Sequence, residues 1–205
     1  AYVCYETQKM GVIKDIFKNG DLQRVIIFCG SKIKVKQVAG ALQRKHINCG
    51  EMHSDLDQAT RDDVMFKFKS GQLDVLVATD IVARGIDIDD IAMVINYDVP
   101  HDAEDYVHRI GRTARAARTG TAITFVSEDD IYYFQQIEKF LEKDVEKMPL
   151  PVGLGESPEY KSDGKPKSGA SAKNRRRNDR DQSAHKDKKQ QNRRQRNNSA
   201  NYTNA

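Results

Sequence analysis

Three cysteines are all the sequence contains, and Cys4, Cys29 and Cys49 form no close pair. An odd, scattered set excludes both a disulfide framework and a zinc knuckle, and it is read as buried small apolar residues in a reducing compartment. No apolar run approaches the length of a membrane-crossing helix, and no charged-then-apolar leader opens the chain. A cytoplasmic protein without a membrane partner is therefore expected. From Gly153 to Ala205 there is no Ile, Val or Phe and a single Leu. That segment cannot bury enough apolar surface to offset its ordering entropy, so a disordered tail over 151–205 is expected behind a domain over 1–150. Charge divides along nearly the same line: residues 1–152 carry 20 Lys and Arg against 24 Asp and Glu, residues 153–205 carry 14 against 6. The basic balance belongs to the tail. Its clusters Arg175-Arg176-Arg177 and Arg193-Arg194-Gln195-Arg196 point to salt-sensitive binding of a polyanion, or to simple solubilisation.

The first 150 residues alternate between two periodicities. Arg24 to Cys29, Asp74 to Ala78, Ala92 to Asn96 and Gly120 to Val126 contain continuous, largely β-branched runs, the pattern of strands buried on both faces of a parallel sheet. Tyr2–Tyr5 and Ile47–Met52 read as two shorter strands. Between them, Lys9–Lys18 places Met10, Ile13, Ile16 and Phe17 at core-facing helical spacing. Val35, Val38, Ala39 and Leu42 do the same behind a cap at Ser31, and Val64, Met65 and Phe68 do so in Gln58–Phe68. Ile131–Leu141 closes the domain, with Asp129-Asp130 as its expected cap. Phe125, Tyr132, Tyr133 and Phe134 read as core. Strands and helices at this rhythm imply an α/β domain with a parallel sheet and right-handed crossovers, and ligands gather outside the carboxyl ends of such strands.

Two polar stretches are placed there. His108-Arg109-Ile110-Gly111-Arg112-Thr113-Ala114-Arg115 is expected on a helix entered from Asp102. Its arginines recur every third residue and project to one side, where guanidinium forks suit phosphate oxygens; a solvated basic face is the alternative. Ala78 to Asp87 sets a hydroxyl, carboxylates, Arg84 and Gly85 just past a strand; capping by Thr79 and a simple ion pair for Asp80 are the plainer alternatives. Lys32, Lys34 and Lys36 stud a helix start, either solvated or facing a polyanion. His46 and His53 lie far from metal-ligand spacing and read as surface or loop residues.

Four motifs in order carry a resemblance. Ile26 to Ser31, Gln58-Ala59-Thr60-Arg61, Ala78 to Asp87 and His108 to Arg115 resemble motifs IV, IVa, V and VI of the second RecA-like domain of DEAD-box RNA helicases. The resemblance implies a three-layer α/β/α RecA-like fold and an ATP-dependent RNA helicase. It implies that Arg112 and Arg115 reach the γ-phosphate of ATP as a cis arginine finger and that Asp87 holds the ribose. Gly30, Ser31, Arg61 and Thr79 would contact the RNA sugar-phosphate backbone, while Asp80 and His108 would couple the two sides of the cleft. Arg109 is left to scaffold contacts. Where the family has Gly, this chain has Ala114, a one-methyl change on a helix. No G-x-x-x-x-G-K-[ST] loop and no Asp-Glu-Ala-Asp box occurs, so ATP and Mg2+ are expected to be held mainly by an N-terminal RecA-like domain, and this sequence alone is expected not to hydrolyse ATP. The start at Ala1 suggests a piece of a longer protein. RNA, structured or ribosomal and bound largely without base readout, is the expected ligand, with the tail over 151–205 as a disordered RNA-binding extension similar to the basic tails of bacterial members; that N-terminal domain and a monomeric state complete the expected partners and assembly. The alternatives are a stand-alone RNA-binding module and a superfamily 2 helicase acting on DNA.

Overall fold

The computed structural model describes residues 1–19, 24–80, 91–113 and 120–161. These form strands β1 (Tyr2–Val3), β2 (Val25–Phe28), β3 (Cys49–Met52), β4 (Val75–Ala78), β5 (Met93–Asn96) and β6 (Thr121–Val126). The helices among them are α1 (Glu6–Asn19), α2 (Lys32–Gln43), α3 (Gln58–Lys69), α4 (Ala103–Ile110) and α5 (Ile131–Phe140). The strands make one sheet in the order β1-β6-β5-β2-β4-β3, and every pairing is parallel. All eight residues of β2 and β4 are buried, which is why both read as unbroken apolar runs rather than alternating ones.

Strand periodicity sends alternate residues to opposite faces. Val25 and Ile27 join Val12, Ile13 and Phe17 of α1 and the four predicted residues of α2 in one core; Ile26 and Phe28 join Leu76, Met52 and Phe68 of α3 in another. The result is the expected three-layer α/β/α arrangement. A third cluster packs α4 and α5 against the end of β6 through Tyr106, Val126, Phe134 and Ile137. The cysteines are buried and free, and burial pushes the thiols of Cys4 and Cys49 up to about 11, so they are inert packing residues.

Three expectations change. Asp130 occupies the position before α5, yet its carboxylate accepts from Ser127 Oγ at 2.6 Å and caps no helix N–H, because residues 128–130 already turn as a 3-10 segment. His53 is a loop residue one position past β3, but it is 1% exposed rather than on the surface, and its Nδ1 accepts from the Asp55 N–H at 3.2 Å. The domain also continues past 150. Leu150 and Leu154 pack on the α1 side of the sheet, and the carbonyls of Leu154 and Glu156 accept from Gln8 Nε2 at 2.8 and 2.9 Å. Tyr160 donates to Glu138 Oε2 at 2.6 Å. Gly11 makes this possible, because a Cβ there would come within 2.5 Å of Leu154 Cδ2. The boundary therefore moves to at least residue 161; the remainder of the tail lies outside the described residues. Near it, Tyr2 of β1 bridges to Met148, whose N–H donates to the Ala1 carbonyl at 2.7 Å. No described helix is long and apolar enough to cross a membrane.

Candidate functional site

The strand order places the exits of β5, β2, β4 and β3 side by side at one edge of the sheet. Tyr97-Asp98, Cys29-Gly30-Ser31, Thr79-Asp80 and His53-Ser54 follow those four strands in turn. α4 delivers Arg109 to the same edge. It starts at Asp102, whose Oδ1 accepts from the Glu104 N–H at 2.9 Å, and it ends at Ile110 with Gly111 as cap. A side chain at Gly111 would crowd the Val107 carbonyl at 3.0 Å.

That ending corrects the octad. The helix ends at Ile110, and Arg109 and Arg112 do not share a solvent face. Arg109 is 3% exposed. Its Nε and Nη2 donate to the two carboxylate oxygens of Asp80, both at 2.6 Å; Nη1 donates to Asn96 Oδ1 at 3.2 Å and to the Asp98 carbonyl at 2.9 Å. The guanidinium carbon lies 5.2 Å from the centre of the Phe28 ring. A bidentate fork with both remaining faces occupied is the geometry in which a buried arginine is fully compensated. Arg109 thus welds the exits of β4 and β5 to the end of α4. His108, on the same last turn, is exposed, and Arg112 stands half-buried in the turn beyond the helix. Thr113 returns to the sheet through a bridge with Ile91, its hydroxyl buried without a hydrogen-bond partner. Arg115 and Asp87 lie outside the described residues.

A second network centres on Asp98. Its Oδ2 accepts from the Gly30 N–H at 2.8 Å and its Oδ1 from Lys9 Nζ at 3.1 Å. Lys9 is 1% exposed. It also reaches Glu6 at 2.9 Å and lies 4.8 Å from the centre of the Tyr97 ring. Burial would push the Lys9 ammonium down, but Asp98 and Glu6 outweigh it and hold the pKa above the ordinary lysine value, so the group stays charged. Gly30's amide is thereby spent within the chain. Ser31 is exposed and caps α2, its Oγ accepting from the Lys34 N–H at 3.2 Å.

A third group surrounds the exit of β3. Asp57 caps α3 by accepting from the Thr60 N–H at 2.7 Å. One turn on, Arg61 Nη2 donates to the Ser54 carbonyl at 3.2 Å, while its Nε is buried without a partner. Asp55 gathers Lys32 at 2.7 Å and Lys36 at 3.3 Å from the start of α2. Those two hydrogen bonds hold its carboxyl below the ordinary aspartate value. Lys34 turns instead to Glu6. Thr79 is half-buried, its N–H donating to the Met52 carbonyl at 3.2 Å.

The sequence-predicted residues Gly30, Ser31, Arg61, Thr79, Asp80, His108 and Arg112 therefore come from segments that converge on, or flank, one sheet edge. Lys9, Asn96, Asp98 and Asp55 were missed. Lys9 had a legible signal, for it stands at i, i+3, i+4 and i+7 with Val12, Ile13 and Ile16, on the apolar stripe. Asn96 and Asp98 had a fainter one, as polar residues closing a buried strand.

A family model for the helicase conserved C-terminal domain matches residues 8–117. The chain belongs to this family. Among curated relatives, the ATP-dependent RNA helicase eIF4A of Chaetomium globosum is 40% identical over 153 residues, which is 74% of this chain and 38% of that protein. The Candida albicans protein of the same name is 39% identical over 148 residues, 72% of this chain and 37% of its own length. This helicase domain thus spans well under half the length of the curated relatives it matches. Its fold is that of Escherichia coli DEAD-box protein SrmB, solved bound to regulator of ribonuclease activity A, with a TM-score of 0.70 at 32% identity over 77% of this chain and 94% of that one. The C-terminal domain of the DEAD-box protein Dbp5 superposes with a TM-score of 0.65 at 33% identity over 71% and 84%. Saccharomyces cerevisiae Dbp5, solved with RNA and ADP BeF3, gives 0.66 at 32% over 74% and 40%. The chain is a C-terminal RecA-like domain of the DEAD-box helicases.

Proposed function

We propose that this domain is the second half of an ATP-dependent RNA helicase, active in a longer protein that adds an N-terminal RecA-like domain. The observation that carries this is the Arg109–Asp80 fork. It ties the stretch bearing Thr79 to the stretch bearing His108 and Arg112, so that groups assigned to RNA and to nucleotide belong to one stiff unit. Arg112 and Arg115 reach across to the γ-phosphate of ATP, Asp87 accepts from the ribose hydroxyl, and Gly30, Ser31, Arg61 and Thr79 line the RNA backbone. Asp80 and His108 couple the two sides.

The residues present fit half of such a site. No group of three or more His, Cys, Asp or Glu among the described residues could hold a metal ion, and the sequence has no phosphate-cradling loop. On this reading Mg2+ and the triphosphate are held mainly by the N-terminal domain, where the ion would neutralise charge on the phosphate oxygens. This chain's part is to deliver guanidinium groups as charge develops on the transferring phosphoryl, which makes hydrolysis conditional on domain closure. RNA spanning both domains favours closure, and closure completes the ATPase site, a coupling between two ligands through one hinge.

The test uses the longer protein. Arg112→Ala and Arg115→Ala each lower RNA-stimulated ATP turnover by about 10^3-fold or more, the range of an arginine finger, while RNA affinity changes little. Unchanged turnover in both variants would sink the assignment. Stimulation by DNA as strong as by RNA would move the enzyme to the DNA-acting reading.

A further inference from the structure

Away from the carboxyl edge, α1 and α2 part near their carboxyl-terminal ends and leave an open notch of about 220 Å3. Its floor is apolar, with Met10 and Phe17 of α1 and Ile47 among the lining groups, and Lys14, Lys18 and Lys45 stand around it. All three lysines are exposed, while Met10 and Ile47 are half-buried. Among the described residues, no acidic one lines it. The segments that close it lead into the amino ends of β2 and β3, the opposite end of the sheet from Gly30, Thr79 and Arg109.

We propose that this notch seats a bulky apolar side chain from an acidic segment of a partner protein. Its volume falls below the roughly 300–1,000 Å3 of small-molecule and cofactor sites, and its floor offers no convergent polar groups to orient such a ligand. A side-chain anchor fits both facts, with the rest of the partner lying over the rim. Three lysines, with no acidic residue among the described lining, select a negatively charged flank and speed its encounter. The chain's own tail is the wrong sign, since residues 162–205 carry 13 Lys and Arg against 4 Asp. Seated there, a partner leaves the carboxyl edge open to nucleotide and RNA, so this inference stands independently of the proposed activity.

The probe is a fluorescein-labelled synthetic peptide with a Leu-Phe pair flanked by glutamates, followed by fluorescence anisotropy against the 205-residue chain. Binding weakens at least about tenfold, the loss of a single anchoring hot spot, when the Leu-Phe pair becomes Ala-Ala. It weakens as much when the chain carries Lys14→Glu with Lys18→Glu, or Met10→Asp. The lysine variants change only exposed residues and keep the fold, so they carry the test even if Met10→Asp unfolds. Peptide binding that ignores the lysine and anchor changes belongs to the basic tail and overturns the proposal, as does no binding at millimolar peptide. A dimer in sedimentation that Met10→Asp dissociates overturns it in favour of a second copy as occupant.

Discussion

Arg109 and Arg112 stand three residues apart, nearly one helical turn, and they meet different fates because Asp80 waits at the exit of β4. Whether a cation on an amphipathic helix faces water or a carboxylate depends on a residue 29 positions away, which no local period reveals. The sequence spacing therefore showed three equivalent phosphate seekers, and only the family resemblance set Arg109 apart. Removing one partner of a buried pair leaves the other uncompensated, so Arg109→Ala lowers unfolding free energy by about 3–5 kcal/mol. Arg109→Lys restores the charge but not the fork, and recovers only part of that. Urea denaturation followed by circular dichroism checks both; a Lys variant as stable as the parent would show that the fork's geometry is immaterial.

At the scale of elements, β2, β4 and α2 were legible almost to the residue because burial on both faces leaves an unbroken apolar run and because Ser31 is an ordinary cap. The end of α4 was not legible, since the chain leaves the helix at Gly111 to reach the bridge from Thr113 to Ile91, a pairing distant in sequence that no local period reveals. Gly50 shows another constraint hidden in one letter. A Cβ there would meet Leu73 Cδ1 at 2.8 Å and Val64 Cγ1 at 3.0 Å, so α3 and its following turn lie directly on β3. Gly50→Ala forces these apart and is expected to cost about 1–3 kcal/mol, the range for overpacking. A shift of the urea midpoint with unchanged slope is the expected signature. If Leu73→Ala, placed on the Gly50→Ala background, restores none of the loss, the steric account fails.

For the whole molecule, the informative error was the domain boundary. Composition correctly marks Gly153–Ala205 as poor in core residues, but one Leu, one Tyr and two backbone carbonyls suffice to fasten residues 151–161 to α1 and α5. Glu138 is the polar anchor of that fastening. Burial alone would push its carboxyl up, but Lys147, Tyr160 and the Val145 N–H outweigh it and hold it below its ordinary value of 4.5. A carboxyl depressed in the folded state stabilises above its unfolded pKa, and that contribution is lost as pH falls through the folded one. The melting-temperature gap between the parent chain and Glu138→Gln should thus hold steady above about pH 5 and close on acidification below about 4.5; a gap that widens on acidification would reverse the sign and exclude the account. The bridge from Tyr2 to Met148 has a further consequence, for solubility rather than stability. β1 is the last strand on its side of the sheet, and the chain leaving α5 lies against it, occupying backbone groups that would otherwise recruit strands from other molecules. A version of this domain cut before Met148 should therefore aggregate at concentrations where one ending at 161 stays monodisperse, even if the two fold equally well.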